Sequence, residues 1–329
     1  MSGERIPVLV AGGAGYIGSH TAKALRQAGF LPVVLDNLIT GNRWAVRFGP
    51  FAEGSVANRT VVEKTIREFD VQGAILFAAH AYVGESTENP AKYYRNNVCG
   101  SLDFLDALLA CGVKTLVFSS SCSVYGVPRE IPISEDLPKE PLSPYAETKQ
   151  FVESILRWYD QAYGLRSVCL RYFNAAGADP EGEIGECHNP ETHLIPLTIQ
   201  AALGGPSLRI LGGDYPTADG TAVRDYIHVT DLADAHVAAL RYLFEGGASA
   251  QLNCGTGTGH SVMQVVDTVR EISGKKVPFE LAPRRQGDAP VLVADARRIR
   301  EVLGWTTRNS SLETIIRTAW RWYADRSRL

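Results

Sequence analysis

The chain has 329 residues, of which 45 % are apolar and 21 % charged, with a formal net charge of −3; this is the balance of an ordinary globular protein with one large or two coupled domains. That charge gives no electrostatic ground for nucleic acid or an anionic membrane as partner, and no apolar run reaches the roughly 18–20 residues of a membrane span. Six cysteines, at 99, 111, 122, 169, 187 and 254, are scattered with no CxxC pair and no metal-ligand spacing; with no signal-peptide pattern in the first residues, reduced thiols in a cytoplasm and no bound metal are expected.

In chain order, 8–11 reads as a buried strand and about 16–28 as a helix. Residues 32–36 follow as a strand, 58–69 as a helix and 73–79 as an apolar strand. A long helix over about 90–110 precedes a strand at 115–121, a helix over about 144–163 and a strand at 167–171. Continuous apolar strands separated by helices imply a parallel sheet covered on both faces, a doubly wound α/β fold of Rossmann type. Past about Asn174 the alternation fails. The stretch 175–225 is rich in Gly, Pro and acidic residues and reads as loops around a site, before helical patterns return at about 230–244, 261–273 and 312–326. The expected division is a domain over 1–177, joined by segments near 225–260, and a smaller, irregular domain over 178–329.

Strand 8–11 runs into Gly12-Gly13-Ala14-Gly15-Tyr16-Ile17-Gly18. Glycines at 12, 15 and 18 suit a tight turn, close approach of backbone to a pyrophosphate, and close helix–strand contact, while the helix start offers free N–H groups to phosphate. Asp36 ends the second strand about twenty residues on, where a carboxylate binds a ribose 2′-hydroxyl and repels a 2′-phosphate, favouring NAD over NADP. Asn37 follows it, with no arginine next.

Ser143-Pro144-Tyr145-Ala146-Glu147-Thr148-Lys149 opens a helix, with Ser143 suited to the cap and Pro144 to the first position. Tyr145 and Lys149 are four residues apart and share a face. A phenol with a reference pKa of about 10 is a poor base at neutral pH; a neighbouring ammonium, the helix N-terminus and an oxidised nicotinamide would all favour phenolate. Such a phenolate takes a proton from a sugar hydroxyl as hydride leaves the same carbon. The serine run Ser119-Ser120-Ser121 ends a strand at the sheet's carboxyl edge, where one hydroxyl could orient the reacting oxygen.

With these motifs in this order, the chain resembles the extended short-chain dehydrogenase/reductase family, and within it the members that epimerise UDP-hexoses at C4. The likeness runs from Val8 to about Tyr323, through 12–20 (GGAGYIGSH), 83–86 (VGES), 93–98 (YYRNNV), 119–126, 143–149, 170–177 (LRYFNAAG), 214–229 (DYPTADGTAVRDYIHV) and 282–288 (APRRQGD). It implies a tightly held NAD, a homodimer, and a catalytic set of Tyr145 as base, Lys149 to lower its pKa and hold the nicotinamide ribose, and Ser121 on the 4-hydroxyl. Hydride would pass from C4 to NAD and return to the opposite face of a 4-keto sugar. Further cofactor contacts implied are Gly12, Gly15, Tyr16, Ile17, Gly18, Asp36, Asn37, Ser55, Val56, Phe77, Ala78, Ala79, Asn96 and Tyr172. The implied UDP-sugar contacts are Phe173, Asn174, His193, Leu194, Arg224, Tyr226, Arg285, Asp288 and Leu292.

Four departures from the family pattern stand out. Ser55 replaces an aspartate on the adenine amine, Ala81 a lysine near the cofactor, and His193 an asparagine near the diphosphate. Leu292 stands at a gatekeeper position that is tyrosine in narrow relatives and cysteine in broad ones, which leaves room for an N-acetylated sugar. A 4,6-dehydratase is disfavoured, since Cys122 and Ser123 stand where its acid and base belong. A UDP-pentose epimerase and a non-catalytic NAD-binding protein stay open. The chain's helices at 90–110 and 144–163 offer Leu102, Leu105, Leu109, Phe151, Ile155 and Trp158 either to a partner subunit or to the sheet.

Overall fold

The computed structural model describes residues 5–285 and 288–325. Its first half alternates strictly: β1 (Pro7–Ala11), α1 (Tyr16–Gln27), β2 (Leu31–Asp36), β3 (Phe51–Glu53), α2 (Arg59–Phe69), β4 (Gly73–Leu76), α3 (Val83–Glu88), α4 (Pro90–Tyr93), α5 (Gly100–Ala110), β5 (Thr115–Ser121), α6 (Pro144–Tyr163) and β6 (Arg166–Tyr172). The second half holds β7 (Asn174–Ala176), α7 (Leu194–Ala202), β8 (Leu208–Leu211), β9 (Val223–His228), α8 (Val229–Phe244), β10 (Ala250–Cys254), β11 (Gly259–Ser261), α9 (Val262–Ser273), β12 (Phe279–Ala282), β13 (Val291–Leu292), α10 (Arg297–Leu303) and α11 (Leu312–Ala324).

Seven strands form the main sheet in the order β10-β6-β5-β4-β1-β2-β3, every neighbour pair parallel. Successive side chains of one strand point to opposite faces, and here both faces are covered. Val8 and Val10 join a core with Leu25, Leu232 and Leu240 under α1 and α8, while Leu9 and Ala11 join Val62, Phe104, Leu108 and Leu156 under α2, α5 and α6. This is the doubly wound arrangement, whose strand order reverses at β1 and β4 and leaves a crevice at the carboxyl ends.

The second half returns to the first through α8 and β10, and β10 pairs in register with β6 from Ala250 on Val168 to Cys254 on Tyr172. A separate apolar core gathers Ile195 and Ile199 of α7, Val265 and Val269 of α9 and Ile315 and Trp322 of α11. A small sheet has β9 paired with β7, β11 and β13.

Three expectations are corrected. The apolar strand at 73–79 ends at Leu76, after which Phe77 and Ala78 both donate to Ala11 O, at 2.8 and 3.1 Å. The single helix over 90–110 is broken by a π-helical turn at Tyr94–Cys99, a feature that often marks functional sites. The stretch 175–225 is less irregular than its composition implies: it contains α7, whose residues are apolar on nearly every side and so give no amphipathic period.

Candidate active site

Adjacent strands β2, β1 and β4 bring Asp36, the glycine turn and residues 77–79 to one edge. Gly12 has φ +84°, and a Cβ there would lie 2.6 Å from the Ala78 nitrogen; a Cβ on Gly18 would lie 2.2 Å from Gly12 O. Both glycines are demanded by the protein itself. Gly15 is not: its φ is −80°, and a Cβ would meet only Gly12 O at 3.4 Å. Gly15 is also the N-cap of α1, with no side-chain cap and no acid in the first turn, so the helix's first N–H groups and positive end are open to an anion. Asp36 is fixed beside this turn, one oxygen accepting from Ala14 N–H and the other from Leu38 N–H, each at 2.9 Å. An open helix start, a glycine that the protein's own packing does not require, and a fixed carboxylate together fit a dinucleotide's pyrophosphate and ribose.

Several other expected cofactor residues spend their side chains on the protein. Tyr16 donates to Gly177 O at 2.6 Å, Asn37 accepts from Ile39 N–H at 3.1 Å, Ser55 accepts from Ala57 N–H at 3.2 Å, and Asn96 donates to Asn97 at 2.9 Å. Ile17, Val56 and Ala78 pack against the two sheet cores, the Phe77 ring lies tilted 4.7 Å from that of His236, Ala79 is half-buried and Ala81 is exposed.

Strand β5 delivers the serine run to the carboxyl edge, with Ser120 on one face and Ser119 and Ser121 on the other. Ser119 is hydrogen-bonded to the Tyr172 hydroxyl, and Ser120 donates to Glu153 at 2.6 Å. Both are buried, whereas Ser121 is half-exposed and caps the turn Cys122–Tyr125, accepting from Ser123 N–H at 3.2 Å and Ser123 Oγ at 2.9 Å. Helix α6 begins as its sequence dictates, with Ser143 capping Ala146 N–H at 3.3 Å and Pro144 in the first turn. Tyr145 and Lys149 then stand one turn apart, with Lys149 Nζ 5.8 Å from the Tyr145 ring centre, 5.0 Å from that of Phe118, and donating to Ser119 O at 2.7 Å.

The expected depression of the phenol is not produced by these residues alone. Burial pushes Tyr145 up to about 12, with the Ser121 hydroxyl opposing. Burial also lowers Lys149 to about 7, with Glu153 opposing. An amine held near neutrality supplies little field to its neighbour.

On the substrate side, β9 carries Arg224 and Tyr226, and β7 carries Asn174. Arg224 pairs with Asp288 at 2.5 Å and also donates to Val223 O at 2.8 Å, so two expected ligands bind one another. Asn174 donates to Asp225 O at 3.1 Å. Tyr226 is buried, and burial raises its pKa. Phe173 and Leu292 share an apolar cluster with Cys122, Val124, Tyr125 and Ile133. His193 is the N-cap of α7 and Leu194 its first residue; the imidazole contacts Glu186 at 2.5 Å. Arg285 is exposed, and Gln286 and Gly287 of the 282–288 stretch lie outside the described residues.

Sequence reading missed a buried polar chain behind the site. Arg171 grips Glu153 through Nε at 2.8 Å and through its second nitrogen at 2.6 Å, and donates to Tyr125 OH at 2.8 Å; Tyr125 in turn donates to Asn253 at 2.7 Å. Asn97 accepts from His80 N–H at 2.8 Å and donates to Thr148 at 3.1 Å, tying the end of β4 to α6. These partners lie up to 128 residues apart, so no local spacing announces them.

A glycine turn opening a parallel sheet, with serine, tyrosine and lysine at the same carboxyl edge, defines the class: a Rossmann-type enzyme working with a nicotinamide dinucleotide. The chain belongs to the NAD-dependent epimerase/dehydratase family, whose model matches residues 8–255. It is similar to a UDP-glucose 4-epimerase of Rhizobium leguminosarum bv. trifolii, 50 % identical over 325 residues that cover 98 % of each chain. Among solved structures, a Brucella ovis UDP-glucose 4-epimerase in complex with NAD is 51 % identical with a TM-score of 0.94, covering 96 % of this chain and 98 % of that one. A Bifidobacterium longum UDP-glucose 4-epimerase in complex with NAD+ and UDP is 34 % identical with a TM-score of 0.92, covering 98 % and 99 %.

Proposed function

We propose that the protein interconverts UDP-galactose and UDP-glucose at C4, using NAD that stays bound between turnovers. The observation that carries this is the meeting of Ser121, Tyr145 and Lys149 at the carboxyl edge of β5, in the sheet whose β1 turn fits the dinucleotide. NAD, held by the turn at Gly12, Gly15 and Gly18 and by Asp36, supplies the acceptor for the C4 hydride and its return. Tyr145 takes the 4-hydroxyl proton and gives it back, and Ser121 hydrogen-bonds the same oxygen. Lys149 orients the ribose of the cofactor and lends its proton charge to the phenolate once the site is loaded. Burial keeps the Tyr145 proton in place in the protein alone, so proton abstraction belongs to the loaded site.

Arg224, Arg285, Asn174 and His193 serve the diphosphate, Asp288 the uridine ribose, and Phe173, Leu194, Tyr226 and Leu292 line the sugar and base. The NAD-binding domain is 1–177 with segments near 225–260, and 178–329 binds the UDP-sugar. The protein acts in the cytoplasm as a homodimer; among the described residues no helix is long and apolar enough to cross a membrane, and all six cysteines are unpaired. The dimer reading draws support from Phe151 and Trp158, exposed on one face of α6, while Leu105 is buried on the sheet and Leu102, Leu109 and Ile155 are half-buried.

A second substrate reading rests on Leu292. It is half-buried against the Phe173 cluster and smaller than the tyrosine of narrow relatives, so the site also accepts UDP-N-acetylhexosamines. The test is incubation of the purified protein with UDP-galactose, without added NAD, beside Tyr145→Phe. Formation of UDP-glucose by the wild type and its near-loss in the variant support the reading. No conversion, with NAD also supplied, redirects it to UDP-GlcNAc and UDP-xylose, and inertness toward all three leaves a non-catalytic NAD-binding protein.

A further inference from the structure

The segment between β7 and α7 brings together two imidazoles and two carboxylates within eight residues of chain. Glu186, His188, Glu191 and His193 each offer one ligand atom, and these atoms all lie within 4.8 Å of one another. His193 Nδ1 is 2.5 Å from Glu186 Oε1 and 3.5 Å from Glu191 Oε1. His188 Nδ1 is 3.1 Å from Glu186 Oε1 and 3.8 Å from Glu191 Oε2.

A tetrahedral Zn²⁺ with nitrogen and oxygen ligands at about 2.0–2.2 Å sets ligand atoms about 3.4 Å apart. Three of the nitrogen–oxygen separations, at 3.1, 3.5 and 3.8 Å through one or the other oxygen of Glu191, lie near that edge, while the 2.5 Å His193–Glu186 contact has to open to admit an ion. Buried His188 Nδ1 makes no well-directed hydrogen bond among the described residues; its nearest carboxylate oxygens, Glu186 Oε1 at 3.1 Å and Glu191 Oε2 at 3.8 Å, stand at ion-pair distance on two sides of it. A cation at the centre satisfies that nitrogen and both carboxylates at once.

We propose that Glu186, His188, Glu191 and His193 bind one divalent transition-metal ion of the Zn²⁺ type, which clips together the turn leading into α7, a turn that α11 holds by hydrogen bonds. Imidazole with carboxylate suits zinc and its first-row neighbours, whereas magnesium and calcium want oxygen alone. The outer contacts of a metal site are in place. Glu191 Oε1 accepts from Thr192 N–H at 2.8 Å and His193 N–H at 2.9 Å, and Tyr323 OH reaches Glu191 Oε2 at 3.4 Å. The Glu186 main-chain oxygen accepts from Trp322 Nε1 and from Tyr323 OH, each at 2.9 Å. The His193 side chain is 57 % exposed, which gives an ion its way in. The ring of His188 packs edge-on at 6.3 Å against that of Tyr16, the first residue of α1, so the clip also touches the dinucleotide-binding helix.

This site does not depend on the sugar-nucleotide reading, because its readout is metal rather than turnover. Full-length protein freed of any affinity tag is stripped with chelator and titrated with Co²⁺, then with Zn²⁺ in competition; His188→Ala and Glu191→Gln are treated alongside. The expected result is one equivalent of Co²⁺ with the visible bands of a tetrahedral centre, displaced by Zn²⁺. Both variants should bind at least about tenfold more weakly, while their circular dichroism in chelator matches the wild type. Zn²⁺ should also raise the wild type's melting temperature and not that of the variants. Wild type that takes up no equivalent of either ion, or variants that bind it equally well, would overturn the site and leave a hydrogen-bonded ion network.

Discussion

Lys149 Nζ donates to the main-chain oxygen of Ser119 at 2.7 Å, with the Tyr145 ring centre 5.8 Å away. The serine run and the tyrosine–lysine pair are thus joined through backbone, and the amine is buried against β5 at the cost of its charge.

That cost makes a stability prediction. Burial lowers Lys149 from an ordinary 10.5 to about 7. The linked stability is fully present above the ordinary value and is lost as pH falls from there to about 7, because over that window the unfolded chain takes up a proton that burial keeps from the folded one. Lys149→Met removes the penalty. It should melt several degrees higher than wild type near pH 6, with the advantage shrinking toward pH 10, while epimerisation falls by about 10²–10⁴-fold. Thermal denaturation across pH, beside turnover, checks both; a variant less stable at every pH would refute the burial account.

The three glycines of the turn should separate under alanine substitution. Gly12→Ala meets positive φ and the Ala78 backbone, and Gly18→Ala meets Gly12 O, so each should cost upwards of about 3 kcal/mol. Gly15→Ala has room and should cost only about 1 kcal/mol, yet lose its bound cofactor. Denaturant melts and NAD released per chain on acid precipitation measure the two effects separately.

Behind the site, Glu153→Met leaves the Arg171 guanidinium without its anion in a buried place. We expect a loss of about 3–5 kcal/mol, most of it recovered when Arg171→Leu and Glu153→Met are combined, because the pair's desolvation then disappears with it. A double-mutant cycle in urea reads the coupling; simple addition of the single losses would show that the two side chains act independently.

Phe151 and Trp158 are 44 % and 60 % exposed and lie two helical turns apart on α6. Charged replacements, Phe151→Glu with Trp158→Lys, should convert a particle of about twice 35.8 kDa to one of 35.8 kDa in sedimentation velocity. An unchanged sedimentation coefficient would move the interface elsewhere.

What the sequence determined by itself is local. Caps, glycine turns and the two strand periods act over a few residues, so β1, α1, β5 and α6 could be read nearly to their ends, and Tyr145, Lys149 and the glycine motif could be named in their elements. Tertiary structure decided what those elements meet. It chose which serine stays open, since buried partners take up Ser119, on Tyr172, and Ser120, on Glu153, and leave Ser121 at the strand's end. It laid β10 beside β6 across some 80 residues of chain, and it set Arg224 on Asp288. The Glu186, His188, Glu191 and His193 spacing was present in the chain, but only a folded turn held by Trp322 and Tyr323 brings those four ligand atoms together. Propensity and period carry no information on partners distant in sequence; burial and hydrogen-bond satisfaction choose those, and they exist only once the chain has packed.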